Sequence, residues 1–583
     1  MNTSHSDRRT RIRRVRAVIA LAALAFLIGA IVGAGHGGSP AIAVAERFAT
    51  AWSHGNYAAM YADVDDATHR RISAHGFADA YRQAARTATE TALVLRGKAK
   101  EQSDGTVLLP ILVSTRVWGQ LAEKLRLQAV ADPDGEHVHW SHALLFPGLA
   151  AGESLSRQTR LPTRAVIQAR DGTVLADGEA SGAGTRSSPL GAAADAAIGE
   201  VGAIPSARAN QLEAEGVPNN AIVGVSGLEL AFDSRLRGRP GGELLAGGRV
   251  LASAPTRPGE TVRSTISAPL QRSAAAALGG QLGGVVALDP RSGEVLAVAG
   301  LGIDDLQPPG STFKMVTLTA VLEAKVASTK SEFPYASSTL LDGVKLENAN
   351  GESCGGSLAL AFAVSCNSVF APLGVKVGAQ RLVATAEDYG FNHPPTLPGA
   401  VESTLPPASQ IQGELDLGST AIGQGEVQAS ALQMATVAAT IADGGRKPSL
   451  GFQAQGHPLG PRVVAASTAR TVRRLMIDVV REGTGTSAAI PGITVAGKTG
   501  TAELGESKCS KSESESSEST SESQSGSESC SGSKDPQNTD AWFAAFAPAL
   551  TPKIAVGVLM VKDGAGGETA APVAKQVIEA ALH

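Results

Sequence analysis

The sequence contains few aromatic residues, few charged residues and few cysteines. Aromatic side chains account for 4% of the 583 residues and charged ones for 18%, while 43% are hydrophobic and 66 residues are glycine. This composition excludes global disorder, a collagen helix and a pure coiled coil, and it predicts several globular domains with small aliphatic cores. With 55 acidic against 51 basic residues, the chain also lacks the basic excess of a protein that binds nucleic acid.

Only four cysteines occur, at positions 354, 366, 509 and 530. No cluster of cysteine and histidine has the spacing of metal ligands, so no structural metal is predicted. Outside the cytoplasm cysteines can form stable disulfides. Proximity along the chain favours the pairs 354–366 and 509–530, although four cysteines allow three connectivities.

Long hydrophobic runs are absent except for the uncharged residues 17–35. Nineteen helical residues rise about 28 Å, close to the roughly 30 Å hydrocarbon thickness of a bilayer. The preceding residues 1–16 contain six arginines and one acid, so the positive-inside rule predicts a cytoplasmic head and a single transmembrane anchor in the plasma membrane, with everything that follows outside. A cleaved signal peptide is the alternative, because Ala41-Ile42-Ala43 resembles a cleavage site, but that site lies well beyond the run.

Changes in composition predict three domains after the anchor. Residues 41–150 start with helical patterns and continue with strand patterns, which is typical of a small α+β domain. Residues 160–264 are rich in glycine, proline and alanine and suit a pedestal or interaction module. Residues 265–583 alternate clear strands and helices, apart from a Ser/Glu-rich insertion at 507–534 that is predicted to be disordered.

The first candidate site is a Ser-Thr-Phe-Lys sequence that runs from Ser311 to Lys314. A Pro-Pro-Gly turn precedes it and an apolar helical pattern follows, so Ser311 is expected near a helix N-terminus. Residues three apart share a helix face, which places Lys314 beside the Ser311 hydroxyl. A lysine that is desolvated near other cations can lose its proton and act as the base that a serine nucleophile needs. Taken alone this motif is weak, because Ser531 begins a second S-x-x-K by chance.

A second candidate pair, Ser365 and Asn367, flanks Cys366 in an apolar stretch. From a loop, two residues at this spacing can point the same way. The serine hydroxyl could then pass a proton while the asparagine amide holds a substrate carbonyl. The tripeptide is nearly uninformative without its context.

The third candidate is the sequence Lys-Thr-Gly-Thr at positions 498–501, which we interpret as part of an edge strand. Lys498 and Thr499 would offer a cation and a hydroxyl to a carboxylate, and Gly500 would let a substrate lie against the strand. The backbone N–H of Thr501, together with that of Ser311, could form an oxyanion hole. A hairpin with a glycine turn is the simpler alternative for this motif in isolation.

In this order, the three motifs match the S-x-x-K, S-x-N and K-T-G signature of penicillin-binding proteins and class A β-lactamases. Further stretches carry the same resemblance: 225–233 and 236–238 are similar to the non-catalytic module of class B, monofunctional penicillin-binding proteins, and 288–290, 422–425, 432–435 and 542–548 are similar to their transpeptidase domain. Residues 41–149 resemble, more weakly, the cystatin-like extra domain of some members.

The resemblance implies a multidomain α/β (α+β) protein. After a transmembrane helix, a small α+β cystatin-like domain and a strand-rich pedestal or dimerisation domain, a transpeptidase domain with the serine β-lactamase-like fold is expected, in which helices flank a central antiparallel sheet. The implied activity is D,D-transpeptidation of peptidoglycan. Its catalytic residues would be Ser311 as nucleophile, Lys314 as base, and Ser365 and Lys498 as proton relay; its substrate-binding residues would be Asn367, Thr499, Gly500 and Thr501.

The implied partners are stem peptides that end in D-Ala-D-Ala, β-lactams, the plasma membrane through the N-terminal helix, and proteins of cell-wall synthesis or division; neither a cofactor, a metal nor a nucleic acid is expected. Two alternatives stay open at this point. One is a hydrolase, either a D,D-carboxypeptidase or a β-lactamase, in which water replaces the acceptor amine. The other is a non-catalytic β-lactam sensor or division scaffold.

Overall fold

A computed structural model describes residues 39–179, 182–454, 460–504 and 538–583. The predicted cytoplasmic head, the transmembrane anchor, the Ser/Glu insertion and the 509–530 cysteine pair all lie outside these residues. In the described part of the chain, no helix combines the length and hydropathy that a membrane span requires.

The chain forms two compact units, and the region assigned to the pedestal contributes to both. One unit consists of the described residues up to Arg160 together with Asn210–Pro218 and Pro240–Pro255. The other consists of Leu161–Ala209, Asn219–Arg239 and the chain from Thr256 onwards.

The first unit is an α+β domain in which helices precede strands, as the sequence predicted. The strand Thr106–Thr115 buries every second side chain, so one face of its sheet packs against the helices. Aromatic residues Trp52, Phe77 and Tyr81 lie in the same core as those buried strand residues. Its helices are Pro40–Ser53, Tyr57–Ala62, Asp66–Arg71 and Ala74–Thr87, and its strands are Glu90–Leu95, Lys100–Glu101, Thr106–Thr115, Gly119–Asp132, Gly135–Val138, Leu155–Arg160, Gly241–Ala246 and Arg249–Ala254.

The remaining pedestal residues form short elements around a buried group of charges. Arg164 donates from Nε to Glu229 and, at 2.8 Å, from Nη1 to Asp233, and all three side chains are almost fully buried. Burial alone would raise the pKa of Asp233, but the Arg164 charge and hydrogen bonds from Gly224, Arg164 and Arg208 lower it below its usual value. The elements are Ile167–Gln168, Val174–Ala176, Asp195–Ile198, Val201–Ala203, Ser206–Ala214, Ile222–Gly224, Gly227–Ala231, Asp233–Leu236 and Val262–Arg263.

A five-stranded antiparallel sheet forms the centre of the second unit. Its strands follow the order Val295–Gly300, Gly283–Leu288, Ile554–Met560, Thr539–Ala547 and Ala496–Glu503. The first two form a hairpin. The last, Ala496–Glu503, lies at the edge and carries the third motif; we call it the site strand.

Successive side chains of each strand point to opposite faces of the sheet, so the core forms two layers. In Thr539–Ala547, Trp542 and Phe546 contact one cluster, whereas Phe543 contacts the other. The helices Ala268–Leu278 and Ala570–Leu582 belong to the second layer.

Small residues let the other layer approach the sheet closely. A Cβ on Gly557 would lie 2.1 Å from the carbonyl oxygen of Ala431, so the helix Ala431–Ala442 packs backbone to backbone on this strand. The remaining helices of the unit are Lys314–Glu323, Leu358–Ala363, Asn367–Val377, Ala379–Tyr389, Gly413–Ala421 and Ala466–Glu482, and small two-stranded pairs join Glu332–Ala336 to Cys354–Ser357 and Ser338–Leu341 to Val344–Glu347.

Candidate active site

The first motif lies at the start of a helix, as predicted. Gly310–Phe313 forms a 3₁₀ turn that leads directly into the helix Lys314–Glu323. Gly310 has a φ of +50°, and a Cβ at this position would lie 2.5 Å from the carbonyl oxygen of Thr501. Only glycine fits this close approach. It brings the partly exposed Ser311 up to the site strand.

Lys314 connects the first motif to the second. Its side chain is completely buried, and its Nζ donates to the carbonyl oxygen of Ser365 at 2.6 Å and to Oδ1 of Asn367 at 2.6 Å. The Oγ of Ser365 lies 3.3 Å from the same nitrogen. Residues that are more than 50 positions apart in the sequence are thus in direct contact.

The backbone of Ser365 adopts a conformation that side chains rarely take. It lies between the helices Leu358–Ala363 and Asn367–Val377 with a φ of +63°. For a residue other than glycine this left-handed conformation costs on the order of 1 kcal/mol. Lys314 contacts the carbonyl oxygen of Ser365, and the adjacent Cys366 forms a disulfide with Cys354, the first of the two suggested cysteine pairs.

The third motif approaches the same serine from the edge of the sheet. Lys498 is fully buried, and its Nζ donates to Ser365 Oγ at 2.9 Å and to the Thr499 carbonyl oxygen at 3.1 Å. A Cβ at Gly500 would lie 2.7 Å from the Pro309 carbonyl oxygen, which again requires glycine where the strand passes the Ser311 turn. The hydroxyl of Thr501 accepts a hydrogen bond from the Gly566 N–H at 3.4 Å.

The structure therefore brings two of the sequence-predicted residues, Lys314 and Lys498, to the hydroxyl group of a third, Ser365. Ser365 Oγ lies within hydrogen-bond distance of both lysine nitrogens, so a proton can pass between Lys314 and Lys498 through it. The two lysine nitrogens also lie 5.8 Å from the ring centre of Phe370 and 5.6 Å from that of Phe362, respectively.

Burial sets the protonation of both lysines. Desolvation lowers the pKa of Lys498 to about 7. Desolvation, together with the charge of Lys498, lowers the pKa of Lys314 well below its usual value. The lowered pKa favours the neutral form of Lys314, and a neutral amine can accept a proton, which is what a serine nucleophile requires of its base.

Several residues of this site carry no signal in the sequence. The Thr484 hydroxyl lies 2.5 Å from that of Thr499, and Oδ1 of Asn348 accepts a hydrogen bond from the backbone N–H of Ser368, just after the second motif. Phe362 and Phe370 are further examples. No local sequence pattern identifies them, because each acts on a residue that is distant along the chain or belongs to an ordinary apolar helix.

Asn367 has a contact that the sequence did not indicate. Its Oδ1 is taken by Lys314, and its Nδ2 donates to the carbonyl oxygen of Glu347 at 3.0 Å. The residue thus orients Lys314 directly. Across the described ranges, no group of three or more His, Cys, Asp or Glu side chains is placed to hold a metal ion.

A serine at a helix start, a buried lysine one turn later and a second lysine on an edge strand define a protein with an S-x-x-K serine active site. Three family descriptions match the chain. Residues 283–579 match the penicillin binding protein transpeptidase domain, residues 181–263 the penicillin-binding protein dimerisation domain, and residues 40–153 the NTF2-like N-terminal transpeptidase domain. The last covers the region that the sequence likened to a cystatin-like domain.

Curated relatives include two proteins named peptidoglycan D,D-transpeptidase PbpA. The one from Mycobacterium tuberculosis is 36% identical over 312 residues, which cover 48% of this chain and 56% of the relative. The one from Mycolicibacterium smegmatis is 34% identical over 427 residues, which cover 61% of this chain and 80% of the relative. The match thus spans just over half the length of the first relative and four fifths of the second.

Solved structures agree with these relatives. A penicillin G acyl-enzyme complex of penicillin-binding protein A from M. tuberculosis has a TM-score of 0.54 and 27% identity, and the match covers 72% of this chain and all of that one. The D,D-transpeptidase domain of a peptidoglycan glycosyltransferase from Eggerthella lenta has a TM-score of 0.54 and 29% identity, with coverage of 72% and 98%. The chain belongs to the penicillin-binding protein transpeptidase family, and the resemblance to its class B members is confirmed.

The lowered pKa of Lys498 predicts how stability changes with pH. In the native protein this lysine loses its proton near pH 7, but in the unfolded chain it does so near about 10.4. Between these values the unfolded chain binds the extra proton, so this lysine makes the stability rise as the pH rises. In Lys498→Met that contribution is lost. The melting temperature of the variant minus that of the wild type is expected to be most positive below pH 7 and to fall steadily towards pH 10.

Thermal denaturation between pH 6 and pH 10 measures this difference. Lys553→Met replaces an exposed lysine and serves as the control, for which a constant difference is expected. A constant difference for Lys498→Met as well would mean that the native protein holds Lys498 with an ordinary pKa.

Proposed function

We propose that this protein is a peptidoglycan D,D-transpeptidase that cross-links stem peptides through an acyl-enzyme on Ser311. The observation that carries the proposal is the pair of buried lysines, Lys314 and Lys498, on the hydroxyl of Ser365. The names of the two PbpA relatives support the same reaction, and the penicillin G complex of the M. tuberculosis protein supports acylation by β-lactams.

Acylation begins when Ser311 Oγ attacks the carbonyl carbon between the two D-alanines of a donor peptide. The Oγ–H bond breaks as the new C–O bond forms, and Lys314 Nζ takes the proton. Negative charge develops on the carbonyl oxygen, where the backbone N–H groups of Ser311 and Thr501 would stabilise it. The start of the helix adds a favourable dipole at the same point.

Departure of the terminal D-Ala requires a proton on its nitrogen as the C–N bond breaks. Ser365 can donate its hydroxyl proton to the leaving nitrogen and regain one from Lys498 or Lys314. Lys498 and the Thr499 hydroxyl would bind the terminal carboxylate of the donor. The second N–H of the Asn367 amide group would hold a donor carbonyl.

The acyl group then moves to an amine. An amine of a neighbouring stem peptide attacks the ester carbon, a C–N bond forms, and the bond to Ser311 Oγ breaks. The amine proton returns through the lysine pair to the serine oxygen, so the enzyme is restored and no cofactor takes part. A β-lactam would acylate Ser311 in the same way, because its ring amide takes the place of the D-Ala-D-Ala bond.

Replacing the nucleophile tests this proposal. Ser311→Ala is expected to abolish labelling by a fluorescent penicillin, because the other hydroxyl of that turn, on Thr312, is buried and donates to the Pro309 carbonyl oxygen at 2.6 Å. Intact-mass analysis followed by peptide mapping should place the penicilloyl group of the wild type on Ser311. Ser531→Ala, which disrupts the other S-x-x-K sequence, serves as the matched control and should keep full labelling. Labelling of Ser311→Ala at the wild-type level would assign the nucleophile elsewhere.

We also propose that the protein is anchored in the plasma membrane by residues 17–35, with the basic head in the cytoplasm and the catalytic domain outside. Support comes from the six arginines of residues 1–16, the uncharged run that follows, and substrates that lie outside the membrane. Proteins of cell-wall synthesis or division would be its partners there.

Cell fractionation tests the anchor. The full chain is expected in the membrane fraction, from which detergent but not high salt releases it, and protease added to spheroplasts should degrade the catalytic domain. A chain that starts at residue 39 is the control and should not sediment with membranes. Release of the full chain by salt alone would contradict a transmembrane anchor.

A further inference from the structure

Three contacts link the second motif to the neighbouring loop, which comprises residues 347–354. Cys366, between Ser365 and Asn367, forms the disulfide with Cys354. The side chain of Asn348 accepts a hydrogen bond from the Ser368 N–H at 2.7 Å. Nδ2 of Asn367 itself donates to the Glu347 carbonyl oxygen at 3.0 Å.

The lower side of this connection is well anchored. Asn348 is buried, and its Nδ2 donates to the carbonyl oxygens of Ala336 at 2.7 Å and Glu352 at 2.8 Å. Ala336 pairs with Cys354 in the two-stranded sheet that carries the disulfide. The loop is therefore well fixed, and the disulfide and Asn348 link it to residues 366 and 368.

This loop supports a backbone conformation of Ser365 that is unfavourable for a residue other than glycine. Ser365 has a φ of +63°, and the two lysines contact its carbonyl and hydroxyl oxygens from opposite motifs. If residue 365 relaxed to an ordinary φ, its peptide group and hydroxyl would rotate away from Lys314 and Lys498. The lysines would then be rehydrated, and both the relay and the base would be lost.

We propose that the Cys354–Cys366 disulfide and Asn348 are positioning groups of the active site, which hold Ser365 in its left-handed conformation so that one hydroxyl contacts both lysines. The disulfide is buried, with Cys366 only 1% exposed, so the link acts through geometry and makes no contact with substrate. This inference rests on the proposed function, in that acylation of Ser311 is its readout.

The test measures acylation by penicillin in the full-length protein. In Cys354→Ala/Cys366→Ala, the second-order rate constant of acylation should fall about ten- to a hundredfold, the size of effect that a misplacement of about 1 Å produces. The acid limb of the pH–rate profile should also move to higher pH, because rehydration raises the pKa of Lys314. Asn348→Ala should change both quantities in the same direction.

Two controls separate positioning from general stability. Val577→Ala removes buried volume from the C-terminal helix, far from the motifs in sequence, and should lower the melting temperature without changing the rate constant or the pH profile. Cys509→Ala/Cys530→Ala removes the other two cysteines and should behave like the wild type.

If the double cysteine variant does not fold, the same measurement is made on the folded Cys509→Ala/Cys530→Ala protein after treatment with a dithiol. Each disulfide sulfur then gains a hydrogen while the dithiol is oxidised, and a mass increase of two hydrogens confirms the reaction. Wild-type rate constants and pH profiles in the unlinked protein would overturn the proposal. Failure of the proposed function is distinct, because the wild type itself would then carry no penicillin on Ser311.

Discussion

The burial of two lysines beside one serine hydroxyl is the constraint on which the rest of this structure depends. Lys314 and Lys498 are both fully buried, and Ser365 Oγ lies between their nitrogen atoms. Two ammonium groups in so confined and desolvated a place repel each other. Among the described residues, the hydrogen-bond partners of both nitrogens are carbonyl, hydroxyl and amide oxygens, and none is a carboxylate. The lysines therefore give up protons far more readily than lysines in water. The lowered pKa of the base is thus a consequence of packing.

The fold brings the three segments to that point by using small residues where backbones meet. Gly310 lets the nucleophile turn touch the site strand, and Gly500 lets the strand pass the turn from the other side. The strand lies at the sheet edge, where the Ser311 turn packs against it. Helices from one layer deliver Ser311 and Ser365, while the sheet delivers Lys498, and a shift of any one of these elements would separate the lysines.

Local patterns in the sequence predict a good part of this arrangement. The Pro-Pro-Gly turn before Ser311, the edge strand at Lys498 and the first disulfide pair all depend on residues that are close along the chain. The left-handed Ser365 could not be predicted in this way, because its main contacts are with Lys314 and Lys498, which are distant along the chain. The same holds for Thr484, whose partner Thr499 lies 15 residues away on another element.

The pedestal shows the same limit. Its composition indicates short strands but does not predict which unit each segment joins. Asn210–Pro218 and Pro240–Pro255 belong to the same unit as the N-terminal domain. Arg164 pairs with Glu229 and Asp233 in the other unit. Domain boundaries drawn along the chain miss such exchanges, since long-range packing decides them. The chemistry of the motifs was more predictable than the architecture that carries them.

The protonation state of the two lysines tests this account most directly. In protein labelled with ¹³C at lysine Cε, NMR resonances of Lys314 and Lys498 can be assigned from the variants Lys314→Arg and Lys498→Arg and followed from pH 5 to pH 11. The account predicts that both titrate far below the other lysines, with Lys498 near pH 7. If every lysine, including these two, titrated near pH 10, the active site would hold two charged ammonium groups and the proposed base would not exist.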